Sequence, residues 1–304
     1  MRPLKVGIQL PEVEREVSWP EVQHMAQLAE SLGYDSLWVG DHLLYRNPGE
    51  PPKGPWEAWS MLAALSATTE RVQLGPLVAA TSFHNPALLA KKAATIDEIS
   101  GGRLILGLGA GWNETEYRAF GFPFDNRVSR FEEAFTIIRT LLKDGEIDFD
   151  GRYYQARDCE LRPRSRTVGG PPLMIGSNGR RMLRIAVPYV DYWNSWHDSF
   201  GNRAQALGPL MAQVDEACRD TGRDPQAVAR TVTVLVRLTG GVGRKQGDSK
   251  GSSTPPLIGS SDELARGLRA YASAGVSHVQ LVLDPISAAS IEEFAPVLAL
   301  LDAD

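Results

Sequence analysis

Cysteine is scarce in this chain: Cys159 and Cys218 are the only two in 304 residues. Two thiols in a chain this long do not make a disulfide scaffold, so a reducing, cytoplasmic compartment is expected. Long hydrophobic runs are missing too. No stretch approaches the ~18 apolar residues of a membrane span, and the segment from Met1 to Leu10 lacks the apolar core and cleavage site of a signal peptide. Nor is there a surplus of positive charge. Lys and Arg number 32 against 37 Asp and Glu, a net charge of −5, which argues against nucleic acid or a membrane surface as partner, because phosphate binding calls for a basic face. No His/Cys/Asp/Glu cluster has metal-ligand spacing, so no metal is expected. Gly-Xaa-Ser-Xaa-Gly is absent, which leaves a hydrolase nucleophile elbow unsupported. The glycines of Gly107-Leu-Gly109-Ala-Gly111 are spaced GxGxG rather than GxGxxG, a weak nucleotide motif.

What is present is alternation. Short Val/Ile/Leu-rich runs alternate with helical patterns, the signature of βαβ units and a parallel sheet. Strands are expected at Leu4–Leu10, Ser36–Val39, Val72–Ala79, Leu104–Leu108, Pro172–Ile175, Val190–Trp193, Thr231–Leu238 and His278–Leu283. Ser18, with Pro20 and Glu21 after it, reads as the N-cap of the first helix. Ile147–Tyr154 reads as a hairpin turning at Asp150-Gly151, and Asn202–Thr221 as a helix. Eight strands with helices between them fit a (β/α)8 TIM barrel, an α/β fold that takes about 250 residues and leaves roughly 50 for loop insertions. We therefore expect one domain spanning 1–304. A doubly wound open sheet is the rival, disfavoured by the strand count and the missing dinucleotide fingerprint. Leu43–Pro55 and Gly240–Pro256 read as insertions, the latter as a disordered segment or a lid.

From Arg71 to Tyr117 the chain reads RVQLGPLVAATSFHNPALLAKKAATIDEISGGRLILGLGAGWNETEY. Elsewhere it carries Gly33-Tyr-Asp-Ser-Leu-Trp-Val-Gly-Asp-His42, Ser129-Arg-Phe-Glu-Glu133, Pro172-Leu-Met-Ile-Gly-Ser-Asn-Gly-Arg-Arg181 and Val190-Asp-Tyr-Trp-Asn194. Taken in order, this set resembles the bacterial-luciferase-like flavin or coenzyme F-420-dependent oxidoreductases. The resemblance implies a flavin-type ring across the C-terminal mouth of the barrel. It also implies a bulged third strand with a non-proline cis bond under the ring, by position Leu77-Val78.

His42 is the first candidate for chemistry, as a base taking a proton from a substrate hydroxyl as hydride leaves its carbon. The plain alternative is a strand-end residue bonded to Asp41 or to backbone. His84 is the second catalytic candidate, otherwise a loop histidine. His197 and Trp196 are candidates for the cofactor pocket, with Asp41. Gly176, Ser177, Asn178 and Gly179 precede a helix, so their backbone N–H groups suit a phosphate, with Arg180 and Arg181 adding charge. The same residues also read as an ordinary turn with solvated arginines. Asn113 suits the ring edge or phosphate chain, or a helix N-cap. Trp112 and Trp193 are pocket walls or core.

Two cofactors fit the resemblance. Coenzyme F-420 passes hydride and reacts poorly with oxygen, whereas reduced flavin mononucleotide (FMN) activates oxygen for insertion. Trp38-Val-Gly-Asp-His42 and Gly111-Trp-Asn-Glu114 look more like the deazaflavin branch. Sugar-phosphate dehydrogenases of that branch place an acidic residue just after the strand-four glycines. Trp112 stands near that place here, which argues against a sugar phosphate. The expectation is hydride transfer with a small organic substrate on F-420. An FMN-dependent monooxygenase is the alternative, and a barrel that binds cofactor without turnover is a third reading. A homodimer is expected by family analogy.

Overall fold

The structure is a computed structural model that describes residues 2–243 and 254–303. Residues 244–253, the middle of the expected lid, lie outside the described residues. Nine strands form one parallel sheet in the order β3-β2-β1-β11-β10-β9-β8-β5-β4. They are β1 (Lys5–Gln9), β2 (Ser36–Val39), β3 (Gln73–Pro76), β4 (Ala79–Ala80), β5 (Leu106–Gly109), β8 (Leu173–Gly176), β9 (Tyr192–Ser195), β10 (Ala229–Arg237) and β11 (Val276–Asp284). β3 and β4 are two halves of one barrel strand, parted at Leu77-Val78, whose peptide bond is cis. A parallel bridge from Leu74 to Leu104 closes the ring. There Leu74 N donates to Arg103 O at 3.0 Å and Ile105 N to Leu74 O at 2.8 Å. The sheet is thus an eight-stave barrel, in the places the apolar runs indicated.

The strands alternate more than their apolar look suggests. Val6, Ile8, Leu37, Val232, Val234, Val279 and Leu281 face the helices and join the main core, as the two-residue period requires. Their neighbours Gln9, Ser36, Thr231, Thr233, His278 and Gln280 are buried polar groups on the opposite, inward side. Several of them bond to one another, while Gln9 Oε1 and Gln280 Nε2 have no hydrogen-bond partner among the described residues. Asn194 donates to Thr231 at 2.9 Å and to Gln280 at 2.7 Å. Trp38 Nε1 donates to Ser36 Oγ at 2.7 Å, and that hydroxyl meets His278 Nε2 at 2.7 Å. A buried polar group without such a partner costs about 1–3 kcal/mol.

The ring is wrapped by α1 (Trp19–Ser31), α2 (Ala58–Thr68), α3 (Pro86–Ile99), α4 (Glu114–Phe120), α5 (Arg127–Lys143), α6 (Arg180–Ala186), α7 (Gly208–Asp220), α8 (Ser261–Ser273) and α9 (Ala288–Asp302). Three starts illustrate local causes. Asn85 accepts from Leu88 N at 3.0 Å ahead of Pro86, and Ser260 with Glu263 closes a capping box on α8. Ser18 takes the N-cap position of α1 but makes no side-chain cap bond. Glu21 pairs with Arg15 instead.

Two expectations need correction. The hairpin is longer than expected: β6 (Glu146–Asp150) pairs antiparallel with β7 (Gln155–Glu160) around a turn at 151–154. Asn202–Thr221 is not one helix, since α7 starts at Gly208. Asn202 sits at φ 54° and is buried, donating to Leu235 O at 2.8 Å and Pro255 O at 3.1 Å while accepting from Leu235 N at 3.0 Å. Its side chain fastens a loop to β10 and is not available to begin a helix.

Candidate active site

A cavity of about 720 Å³ opens at the C-terminal mouth of the barrel, the face where barrel active sites lie. Its walls come from successive strand ends: Glu12 after β1, Asp41 and His42 after β2, Leu77 and Val78 at the strand break, Trp112 after β5, Ser177 and Asn178 after β8, and Trp196 after β9.

His42 stands between two buried carboxylates. Its Nδ1 lies 2.8 Å from Glu116 Oε2, and its Nε2 lies 3.7 Å from Glu12 Oε1. Glu116 also accepts from Leu43 N at 2.6 Å and Leu44 N at 3.0 Å. Glu12 is held by the amide of Gln9 and the hydroxyl of Tyr45. Tyr45 and Trp112 pack on the imidazole at centroid distances of 4.8 and 5.5 Å. Burial of the ring opposes its charged form. The charges of Glu12, Glu116 and Asp41 and the Glu116 hydrogen bond outweigh this and hold the pKa of His42 above its ordinary value.

Asp41 does different work. Its Oδ2 accepts from Ala80 N at 2.9 Å, just past the strand break, and lies 2.9 Å from His84 Nε2. Trp59 Nε1 reaches the same His84 nitrogen at 3.3 Å. His84 therefore braces Asp41 from behind and does not line the cavity.

The strand break explains the glycines. A Cβ on Gly109 would stand 2.8 Å from Val78 Cγ2, and one on Gly176 at 2.8 Å from the same methyl. These are closer than side-chain atoms normally approach, so the ends of β5 and β8 are bare where Val78 rests. The GxGxG pattern is, at Gly109, a seat for the broken strand rather than a nucleotide loop.

The turn Ser177–Gly179 lines the cavity and is fixed from several sides. Gly179 N donates to Ser177 Oγ at 3.2 Å, Asn178 Nδ2 to Ser195 Oγ at 3.1 Å, and Trp193 Nε1 to Ser177 O at 3.0 Å. Among the described residues, Asn178 Oδ1 is buried without a protein hydrogen-bond partner. Trp193 belongs to the core.

Four other expected residues do not reach the cavity. Asn113 is buried and donates to Leu44 O at 3.2 Å. His197 is buried, with Nδ1 2.9 Å from Asp198. Arg180 and Arg181 turn outward along α6 into a separate groove against α5, where Arg181 meets Glu132 at 2.7 Å and Arg180 faces Glu216 at 3.9 Å. Among the described residues the cation that does line the cavity is Arg127, with its guanidinium 3.7 Å over the Phe124 ring. Sequence reasoning missed Arg127, Glu12 and Glu116. A glutamate in the first turn of a helix, as in Glu114-Thr-Glu116, reads as solvated, and only the fold reveals that Glu116 is fully buried.

An F-420-dependent glucose-6-phosphate dehydrogenase of Intrasporangium calvum is 35% identical over 214 residues, covering 68% of this chain and 62% of that protein. The pyrimidine monooxygenase RutA of Allorhizobium ampelinum is 30% identical over 219 residues, covering 70% and 59%. The chain thus spans less than two thirds of the length of these curated relatives. A solved F-420-dependent secondary alcohol dehydrogenase, in complex with an F-420-acetone adduct, superposes with a TM-score of 0.82 over 99% of both chains at 19% identity, which shows a shared fold. The model of the luciferase-like monooxygenases matches residues 6–239, from the first barrel strand to the end of β10. With about three quarters of the chain matched in one run, the chain belongs to the luciferase-like monooxygenase family.

Proposed function

We propose that this chain is an oxidoreductase that uses coenzyme F-420 for hydride transfer to or from a carbon bearing oxygen in a small organic substrate. The observation that carries this reading is His42, flanked by Glu12 and Glu116 at the cavity wall. Moving hydride between an alcohol and a carbonyl leaves one proton to be exchanged at oxygen, and a positioned imidazole exchanges it. Nδ1 is committed to Glu116, so Nε2 is the nitrogen available to the substrate. The raised pKa shifts His42 toward its protonated form, which favours donation to a carbonyl oxygen. In the reverse direction the neutral ring accepts the same proton.

The residues present fit a deazaflavin. Leu77 and Val78 give an apolar floor, the bare ends of β5 and β8 leave room beside it, Asn178 Oδ1 is a buried acceptor still to be satisfied, and Arg127 suits a phosphate. When bound, F-420 supplies a ring carbon that gives or takes hydride. The relative from Intrasporangium supports this cofactor by name. Trp112 covers His42 with an indole, which suits an apolar substrate better than a sugar phosphate. Family analogy supports a homodimer, and the scarcity of cysteine supports a cytoplasmic compartment.

A second reading, an FMN-dependent monooxygenase, is favoured by the likeness to a pyrimidine monooxygenase. Titrating the purified protein with each cofactor separates the readings. Micromolar binding of F-420 with no oxygen consumption is expected, and failure to bind it would sink the proposal. Replacing His42 with Ala should lower turnover about 10²–10⁴-fold with cofactor binding intact. Full turnover would remove it as the proton carrier.

A further inference from the structure

Both carboxylates beside His42 are held by one loop. Glu116, on α4, accepts through Oε1 from the amides of Leu43 and Leu44 at 2.6 and 3.0 Å, and meets His42 Nδ1 through Oε2 at 2.8 Å. Glu12 accepts from the hydroxyl of Tyr45. The same loop is pinned to itself, where Tyr45 and Lys53 form an antiparallel bridge, and to α4, where Asn113 donates to Leu44 O. Glu116 is fully buried, and among the described residues no lysine or arginine pairs with it. Its charge is shared between two loop amides and one imidazole. Whatever the imidazole gives up, the amides must take.

We propose that Glu116 is a positioning residue that couples His42 to the seating of the loop at residues 43–53, so that the proton carrier and the wall beside it are set together. This role deepens the hydride-transfer reading and rests on it for its catalytic meaning. The groups facing His42 are Glu12 after β1, Asp41 on its own strand end, Tyr45 of the loop, and Glu116 with Trp112 beyond β5. Of these, Glu116 bonds both the imidazole and the loop backbone. Loss of the His42 proton concentrates the Glu116 charge on the Leu43 and Leu44 amides and tightens them. Opening of the loop strips those amides away and leaves the carboxylate to the imidazole.

Glu116→Gln keeps the shape and removes the charge. Its expected effect is a roughly tenfold weaker proton affinity of His42, read by NMR titration of the imidazole in the protein without cofactor. Proteolysis within 43–53 should quicken several-fold. In the cofactor-loaded enzyme the pH limb assigned to His42 should move to lower pH by the same amount, whichever direction of reaction is assayed. Glu116→Asp, which keeps the charge, should restore much of the affinity. In the unaltered protein, amide exchange at Leu43 and Leu44, corrected for intrinsic pH dependence, should slow as His42 loses its proton. An unshifted titration in folded Glu116→Gln, or a flat exchange profile across the His42 titration, overturns the coupling. Titration and exchange need no cofactor, so a failure of the F-420 reading leaves them standing and is told apart.

Discussion

Asp41 and His42 are consecutive in sequence and opposite in duty. His42 faces the cavity and its two carboxylates, whereas Asp41 turns to the backbone of the third strand and is held there by His84. Asp41→Asn should therefore loosen the floor, and by removing one of the charges beside His42 it should also lower that imidazole's proton affinity. The expected cost is about 1–3 kcal/mol of stability from an imperfectly satisfied buried amide, with weaker cofactor binding, read by thermal melts and by a fluorescence titration. Unchanged binding would detach Asp41 from the floor. The Trp38-Val-Gly-Asp-His42 motif made both residues legible, because a histidine closing a strand at the barrel mouth has few other places to point. Their partners were not legible. Glu12 sits in an acidic stretch with Glu14 and Glu16, and nothing local marks which of the three is buried. An asparagine before a helix, such as Asn113, suits a cofactor contact or an N-cap in sequence, and its bond to Leu44 O, distant in sequence, is visible only in the fold.

At the scale of elements, the third strand decides the shape of the mouth. Val78 rests where Gly109 and Gly176 bring the ends of β5 and β8 together. Gly176→Ala should press a methyl against Val78, costing about 1–3 kcal/mol by overpacking and shifting the floor toward the cavity. Cofactor affinity should fall more than stability does; equal affinity with a normal melt would show that the seat has slack. Asn202 offers a test away from the site. Removing its side chain in Asn202→Ala strips β10 and the 255 carbonyl of three hydrogen bonds, and a loss of about 2–4 kcal/mol is expected in denaturant melts. That tie was invisible in sequence because Asn202 precedes a helical pattern and a strand carbonyl has no local signature. The strands themselves were legible, since βα alternation repeats eight times. The break within the third was placed by resemblance alone.

For the molecule as a whole, the polar interior sets the response to pH. His278 is buried with Ser36 and kept neutral, and burial pushes its pKa down to about 3. The unfolded chain binds that proton below about 6.5 and the folded chain does not, so stability falls as pH drops below that value. His42 has the opposite sign. Its folded pKa is raised, so its contribution is complete below about 6.5 and is lost as pH rises through the folded value. The two slopes meet, and stability should peak near pH 6.5. His42→Ala should flatten the alkaline side and His278→Gln the acid side, measured as melting midpoint against pH. A peak that ignores both variants would assign the pH response to other groups. None of this was legible in the apolar look of the strands, because the inward polar residues are alternate letters in runs whose other letters are Val, Leu and Ile. The seat under Val78 has a longer reach than stability. It is built from three strands at once, so a larger residue at 109 or 176 is relieved by a matching reduction at 78. Along the family's descent these three positions should drift as a set, and a lineage that admits alanine at one should be found to have already trimmed the valine.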